Sequence, residues 1–505
     1  GVYQLMPARY ALLPGAYLVT AVSGFQDLQP GTTASTPDGA RVVAGYFGFG
    51  DSTNAAARYN GFAVRPGSYA RQLAQYDDQL ASTFFAAHAN DSSVRTGRPQ
   101  DAGALTVAVQ QSLDALATVR GQAAGNGTNA SVAITAPAIE VNSSTTGNIV
   151  AGVAELSSAT LEDWHIGSLL LGGQRNAAGE VNVGSNTVTI HGGAELVADE
   201  VVLAATQAIT VESGATLSST SAQHPDVAVD ESRFAASSAL KLVGANADRS
   251  AVLSVSDLAY LVTEREVPAA NNGAVINVAT GANVTTRGAV GADAAGNITL
   301  ASGSVKADQA SWALGARHLA FGNAGTAADG LAIDASLVGD LQSARSITLS
   351  SATDIDINQA VTLGANAAID SLNISANRIN NLAGNASSSF TADRISFNGV
   401  SNTAPAVAAG AGTIVFNGKE IELGEGQVGL SGFTGTTLNS SGLLVGSGAG
   451  GITTAGDLSV SSGAITTNSG AHTRIDASTG TLHLTATGGA IPAPASMATG
   501  GTLDI

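Results

Sequence analysis

Residues 187–196 read Thr-Val-Thr-Ile-His-Gly-Gly-Ala-Glu-Leu, and residues 208–217 read Ala-Ile-Thr-Val-Glu-Ser-Gly-Ala-Thr-Leu. The shared pattern is aliphatic-x-aliphatic-x-x-Gly-Ala-x-aliphatic. Val188, Ile190, Gly193, Ala194 and Leu196 each recur 21 residues later as Ile209, Val211, Gly214, Ala215 and Leu217. A third copy follows at Ile276, Val278, Gly281, Ala282 and Val284, and Val181 to Val202 keeps the same step. Alternation such as Thr187-Val188-Thr189-Ile190 puts the aliphatic side chains on one face of a strand and the hydroxyls on the other. A lone strand of this kind cannot bury its apolar face. A chain that returns after about twenty residues can lay each strand ~4.8 Å above the last and merge the apolar faces into one core. Glycine and asparagine suit the corners because they tolerate positive φ.

The expected fold is therefore all-β, a parallel β-helix or solenoid with coils of about 20 residues and irregular insertions. A β-sandwich or barrel of short strands is the rival, but neither needs a constant strand-to-strand offset. Weaker copies continue the alternation at Ile298-Thr299-Leu300, Ile347-Thr348-Leu349, Val361-Thr362-Leu363, Ile414-Val415-Phe416, Leu458-Ser459-Val460 and Leu482-His483-Leu484. Aromatic residues make up 4% of the chain against 44% hydrophobic, so the interior is expected to be aliphatic. Sixty-one glycines without a Gly-X-Y period exclude collagen.

Two stretches depart from the pattern. Residues 1–122 hold most of the tyrosines and an echo of Leu5-Met6-Pro7-Ala8-Arg9-Tyr10 in Leu12-Leu13-Pro14-Gly15-Ala16-Tyr17. Within it, residues 69–87 are expected to form one short helix with Leu73, Tyr76, Leu80 and Phe84 on one side. Residues 1–122 read as an irregular segment of the shaft and 123–505 as the β-helical shaft with an insertion at about 219–271, both irregular stretches reading as decorations and not as independent domains. Both chain ends read as cut, since Gly1 starts without a signal peptide and Ile505 falls inside a strand-like run.

The segment from Leu5 to Tyr17, together with Ala70-Arg71-Gln72-Leu73-Ala74-Gln75-Tyr76, Ser168-Leu169-Leu170-Leu171-Gly172-Gly173 and the Gly-Ala-x-Leu coils, resembles the large filamentous-haemagglutinin-type exoproteins of Gram-negative bacteria. The likeness extends over most of the chain, and its most specific motif is Leu-Leu-Pro-Gly-Ala-Tyr at 12–17. It implies an internal fragment of a secreted adhesin: a long right-handed β-helical shaft exported by two-partner secretion with an outer-membrane partner. It further implies an extracellular, cell-surface location and a role in adhesion, aggregation or biofilm. Expected partners are host or neighbouring-cell surfaces, glycans, or further copies of the chain. The amino-terminal secretion domain of that family is absent from this sequence, and so is an Arg-Gly-Asp tripeptide.

Composition narrows the chemistry. A net charge of −18 with three lysines, Lys241, Lys306 and Lys419, argues against nucleic-acid binding, which needs clustered Lys and Arg. The chain has no cysteine, so it has neither disulfides nor thiolate chemistry. No apolar run reaches the ~20 residues of a membrane helix.

Motif matches are weak. Gly424–Gly429 and Gly446–Gly451 both fit G-x-G-x-x-G, but neither is followed by a helix-forming sequence, which a phosphate-binding turn requires. Asp354-Ile355-Asp356-Ile357-Asn358 opens like a calcium loop, yet Gln359 and Ala365 stand where glycine and glutamate are needed. Glu162-Asp163-Trp164-His165 is the densest set of catalytic-type side chains; a β-helical glycosidase or lyase would repeat its acids on the next coil. Residues 183–186 there read Val-Gly-Ser-Asn. Histidines at 88, 165, 191, 224, 318, 472 and 483 are scattered. The sequence thus assigns no catalytic, cofactor-binding or metal-ligating residues, and the expected role is structural and adhesive. A carbohydrate-binding or carbohydrate-cleaving β-helix is the alternative, and a subunit that self-assembles into filaments through exposed coil ends is a third reading.

Overall fold

In a computed structural model of the chain, the described residues are 5–505 apart from 49–55, 76–78, 81–82, 85–86, 88–99, 115–117, 126, 148–149, 224–238, 259–261, 267–268, 270–272, 323–329, 366–368 and 489–499. The chain divides into two compact units, Gly1–Arg98 and Pro99–Ile505.

The first unit is built on a four-stranded antiparallel sheet whose longest members are Tyr17–Gln26 and Asn60–Pro66. The Leu-Leu-Pro-Gly-Ala-Tyr motif runs from a 3-10 helix, Ala8–Leu12, through a turn at Gly15 (φ 76°) into the first strand. Leu18 packs on Ala11 and Ala70. Of the helix expected over 69–87, the described residues show one turn at Gly67–Ala70 and helical backbone again at residues 83, 84 and 87. Tyr76 lies outside the described residues, while Leu73, Leu80 and Phe84 are exposed. Helical spacing supplies an apolar stripe, but the stripe is not buried, and burial of such a face is what stabilises a short helix.

The second unit is all-β, built on long, mostly parallel sheets. Among the described residues, a 16-stranded sheet (sheet 1) contains Glu200–Ala205, and a 15-stranded sheet (sheet 2) contains Thr187–Ile190. A smaller sheet (sheet 3) holds Glu195–Ala198, Thr216–Ser219, Asn283–Thr285 and Val305–Lys306. From Thr187 to Ala205 the chain passes in turn through sheets 2, 3 and 1. The pattern that opens the sequence is the unit of stacking: Val188 pairs with Ile209 and Ile209 with Ile276, both in parallel register. Leu196 pairs with Leu217, and Leu217 with Val284. These side chains are buried in one continuous core. The pattern glycines Gly193, Gly214 and Gly281 all sit at φ between 81° and 84°, a left-handed corner that other residues enter at a cost. The Gly193 N–H donates to the Gly214 carbonyl and the Gly214 N–H to that of Gly281, so the corners are stacked as well.

The stacking begins upstream of residue 123. Ala104–Ala108 already pairs in parallel with Ala130–Thr135, and both belong to the second unit.

The stretch 219–271 is not a decoration. After Thr216–Ser219 and a helical turn, Thr220–Gln223, the chain contributes Ala239–Val243 and Val262–Arg265 to a separate outer sheet and Ala251–Ser256 to sheet 1. Ala251–Ser256 runs antiparallel to both neighbours, Glu200–Ala205 and Ala289–Ala294. It fills the sheet 1 position that follows Ala208–Val211 in sheet 2 and Thr216–Ser219 in sheet 3, but enters it from the opposite end.

The outer sheet also takes Gly173–Arg175 and Val181–Val183. Val181 and Val202 are therefore not successive copies of one strand: Val181 pairs with Leu242 in the outer sheet, whereas Val202 pairs with Leu170 in sheet 1. The outer sheet covers Ala133, Leu170, Val202 and Val252, on the outward side of sheet 1, giving that sheet a second apolar layer. Strands buried on both faces lose their alternation and read as continuous apolar runs, as Leu169–Leu171 and Val201–Ala205 do.

Helices stand in for strands at two further places. Ser158–Asp163 follows Val153–Ser157, and Ala335–Leu341 follows Leu331–Ile333. Ser157 and Asp334 cap them by accepting from the Thr160 and Leu337 N–H groups. The Ser158 hydroxyl accepts the Glu195 N–H, and Gln342 bonds backbone groups of Thr362 and Gly364. Each helix thus satisfies a neighbouring segment's backbone. A helix is expected only near the N-terminus, yet the two longest among the described residues are these, where the alternation lapses for six or seven residues. The core is mainly aliphatic; its aromatic members include Phe390, whose ring lies 5.7 Å from that of Phe321 and 5.4 Å from that of Phe416, and the buried Phe397, Phe433, Trp164 and Trp312.

Candidate functional site

Glu162-Asp163-Trp164-His165 is taken apart by the fold. Leu161 and Trp164 turn inward and are buried in the main core, while Glu162 and Asp163 are exposed at the end of the helix. His165 terminates that helix in a left-handed conformation (φ 52°), its Nδ1 2.8 Å from the Asp163 carbonyl oxygen. The aromatic ring and the two carboxylates face different surroundings, so they do not enclose a substrate.

Asp354 and Asp356 lie on strand Asp354–Ile357, with Ile355 and Ile357 in the core. Asp354 accepts two hydrogen bonds from the Arg378 guanidinium, at 2.7 and 3.2 Å. Asp356 accepts from Asn380 at 2.9 Å and pairs with His318 Nε2 at 3.1 Å. Their oxygens are therefore committed to side chains on adjacent segments beside sheet 2. The hydrogen bond to Asp356 raises the His318 pKa, against an opposing effect of partial burial and with help from the charges of Asp356 and Asp354. Burial alone would raise Asp356, but the His318 and Asn380 hydrogen bonds and the nearby cations outweigh it and bring it below the usual range.

The pH dependence follows from these signs. The raised His318 stabilises fully below its unfolded value of ~6.5 and loses that contribution as pH climbs through the folded value. The lowered Asp356 contributes above the ordinary carboxylate value and loses its share as pH falls through the folded one. Stability from this pair should therefore be greatest from about pH 4 to 6.5 and decline above it. Solvent screening keeps the contribution under about 1 kcal/mol. His318→Gln should flatten the wild-type loss of thermal stability between about pH 6.5 and 8; an unchanged slope would show that another group carries it.

The two G-x-G-x-x-G matches prove to be one corner stacked on itself. Gly426 pairs with Gly450 and Gln427 with Gly451, and each motif leads into a strand, Gly426–Ser431 or Gly450–Thr454. A Cβ on Gly450 would sit 2.2 Å from the Gly424 carbonyl oxygen and 2.3 Å from that of Gly426. The glycines are there for close backbone approach between neighbouring strands, not to cradle phosphate. His191 stands between Glu212 (3.1 Å) and Glu140 (3.7 Å) on the outward side of sheet 2. His472 and His483 are exposed, and His88 and His224 lie outside the described residues.

Other polar clusters escaped the sequence reading. Asp257 is buried and accepts the Ser221 N–H at 2.9 Å and the Ser221 hydroxyl at 2.5 Å. Burial, reinforced by the charge of Asp257, pushes the Asp199 carboxyl up while a Thr220 hydrogen bond opposes. Arg265 pairs with buried Asp293 and donates to the Ala247 and Ser250 carbonyls. Both clusters fasten the 219–271 segment to its surroundings. The visible signal was an aspartate inside an apolar run, Ala289-Val290-Gly291-Ala292-Asp293-Ala294, since a carboxylate in such a run needs a partner.

Between the outer sheet and sheet 1, a depression lined by Val262, Thr263, Asp293 and Gly315 has a volume of about 10 Å³, room for roughly one water molecule. Among the described residues, no three His, Asp or Glu side chains are arranged to hold a metal ion, and no helix is long and apolar enough to cross a membrane. Comparison with family models, with curated proteins and with solved structures finds no match for this chain.

Proposed function

We propose that this chain is a segment of a secreted, cell-surface-associated fibrous exoprotein, with its second unit a right-handed parallel β-helix that serves in adhesion, aggregation or biofilm cohesion. The observation that carries the reading is the in-register stacking of Val188, Ile209 and Ile276 together with Leu196, Leu217 and Val284. An architecture that grows by adding strands offers repeated surface rather than a pocket, and many weak contacts along it add up through avidity. The sequence resemblance to filamentous-haemagglutinin-type exoproteins favours the same setting, including export with an outer-membrane partner.

One observation favours a second reading, carbohydrate binding by the first unit. Every large exposed aromatic side chain among the described residues lies in Gly1–Arg98, including Tyr46 and Tyr59, whose rings meet edge to face at 5.9 Å. Exposed apolar surface of this kind marks contact sites.

The test is twofold. Deleting the parent gene should reduce surface attachment or cell–cell aggregation. The purified chain, incubated with a panel of polysaccharides, should release neither reducing ends nor unsaturated products, and Glu162→Gln and Asp163→Asn should change nothing. Turnover that vanishes in those variants would replace the adhesive reading with an enzymatic one.

A further inference from the structure

The two units differ sharply in charge. Gly1–Arg98 contains seven arginines and six aspartates, with no lysine or glutamate, so of the chain's −18 the second unit carries −19. Two copies of such a body repel each other wherever carboxylates face outward. One face escapes this.

Strands Ser387–Thr391, Ala409–Leu423, Phe433–Gly446 and Asp457–Thr467 stack in parallel register. Their alternate residues Phe390, Phe416, Leu438 and Val460 are buried in the core. The residues between them face outward. One outward row along the stack reads Thr391, Asn417, Asn439, Ser461, and the next reads Ser389, Val415, Thr437, Ser459. The third holds the one charge in this array, Asp457, whose carboxylate accepts the Thr481 N–H. Farther along the same strands the outward side is charged again, with Arg394 paired to Glu420 and Glu422.

The uncharged side chains are short and already ordered. Asn439 donates to Asn417 at 2.9 Å, Asn417 to Thr391 at 3.4 Å, and Thr413 to Ser387 at 2.8 Å. A neutral array of short side chains in ladders is a surface on which two sheets can approach face to face at ~10 Å, as in polar zippers. We infer that this face pairs with the same face of a second copy of the chain, giving lateral association. With strands ~4.8 Å apart and outward residues ~6.8 Å apart along each, four strands offer about 400 Å². A pair would bury about 800 Å², below the ~1,200–2,000 Å² of stable complexes. The association is therefore weak between single chains and gains strength only when many are aligned. The inference rests on the fibre reading for its setting, but not for the pairing itself.

Sedimentation of the full chain tests it. Association should rise with concentration and strengthen with added salt, which screens the −19 body. Thr437→Asp, placing a carboxylate at the centre of the face, should weaken association at least tenfold, and Ser459→Asp should do the same if Thr437→Asp misfolds. Thr210→Asp, on sheet 2, should leave it unchanged. A chain monomeric at every concentration and salt overturns the inference, as does an equal loss in Thr210→Asp. Polysaccharide binding that Thr437→Asp abolishes, in a chain that stays monomeric, overturns it too and makes the face a glycan site. None of these outcomes depends on the gene-deletion attachment assay or on polysaccharide turnover, which judge the fibre reading.

Discussion

Val211→Asp should destabilise the second unit by about 4 kcal/mol or more, whereas Thr210→Asp should change it by no more than about 0.5 kcal/mol. Val211 is fully buried between Ile190 and Val278, its partners on either side in sheet 2. Thr210, one residue away, lies between Thr189 and Asn277 on the outward side, where it is only partly covered. An aspartate at 211 would find no partner in an aliphatic core, so it would stay protonated and its folded pKa would rise. A raised carboxyl pKa costs stability as pH climbs above the unfolded value near 4. The deficit of Val211→Asp should therefore shrink at about pH 4 and grow at about pH 7. Denaturation midpoints at the two pH values check both points. Equal effects of the two substitutions would show that inward and outward positions are misassigned.

Replacing residues 220–272 with a short glycine-rich linker should abolish cooperative folding of the second unit. Ala251–Ser256 pairs along six positions with Glu200–Ala205 and along six with Ala289–Ala294, so its removal strips both inner edges of sheet 1. Leu253 and Val255 also leave the main core, and the outer sheet loses two of its four strands. Exposed strand edges beside uncovered aliphatic surface favour aggregation over refolding. The expected result is insoluble protein, or a chain with weakened, non-cooperative unfolding. A single substitution makes the same point without deletion. Leu253→Asp should cost as much as Val211→Asp, about 4 kcal/mol, since an unpartnered carboxylate meets the same aliphatic surroundings. Leu253 is equally buried and pairs with Leu203 and Ala292. A deletion variant as stable as the wild type would restore the segment to a dispensable insertion.

The candidate sites show how far residue types alone can mislead. Glu162, Asp163, Trp164 and His165 are adjacent in sequence, yet the helix end turns Trp164 inward and leaves the carboxylates outside, because side-chain direction changes with every residue there. Strand alternation turns the aspartates of Asp354-Ile355-Asp356 away from the core. Their partners Arg378, Asn380 and His318 come from segments more than twenty residues away, which no local motif contains. The glycine-rich runs at 424–429 and 446–451 looked like two separate motifs and are one stacked corner.

What the sequence by itself determined is the repeating unit. A period-2 alternation broken by Gly-Ala, repeated after 21 residues, already states which side chains are buried, where the chain must turn with positive φ, and that Val188 and Ile209 lie above one another. These are local preferences, dictated by strand geometry and by glycine's missing Cβ, and they need no distant partner to be legible. Only the tertiary structure decided how the pattern is interrupted: the reversed strand Ala251–Ser256, the outer sheet over Leu170 and Val202, and the helices at Ser158–Asp163 and Ala335–Leu341. Strand direction and a second covering layer are chosen by pairing between segments far apart in the chain. A run such as Val201-Val202-Leu203-Ala204-Ala205 is equally apolar whichever neighbour comes to cover it.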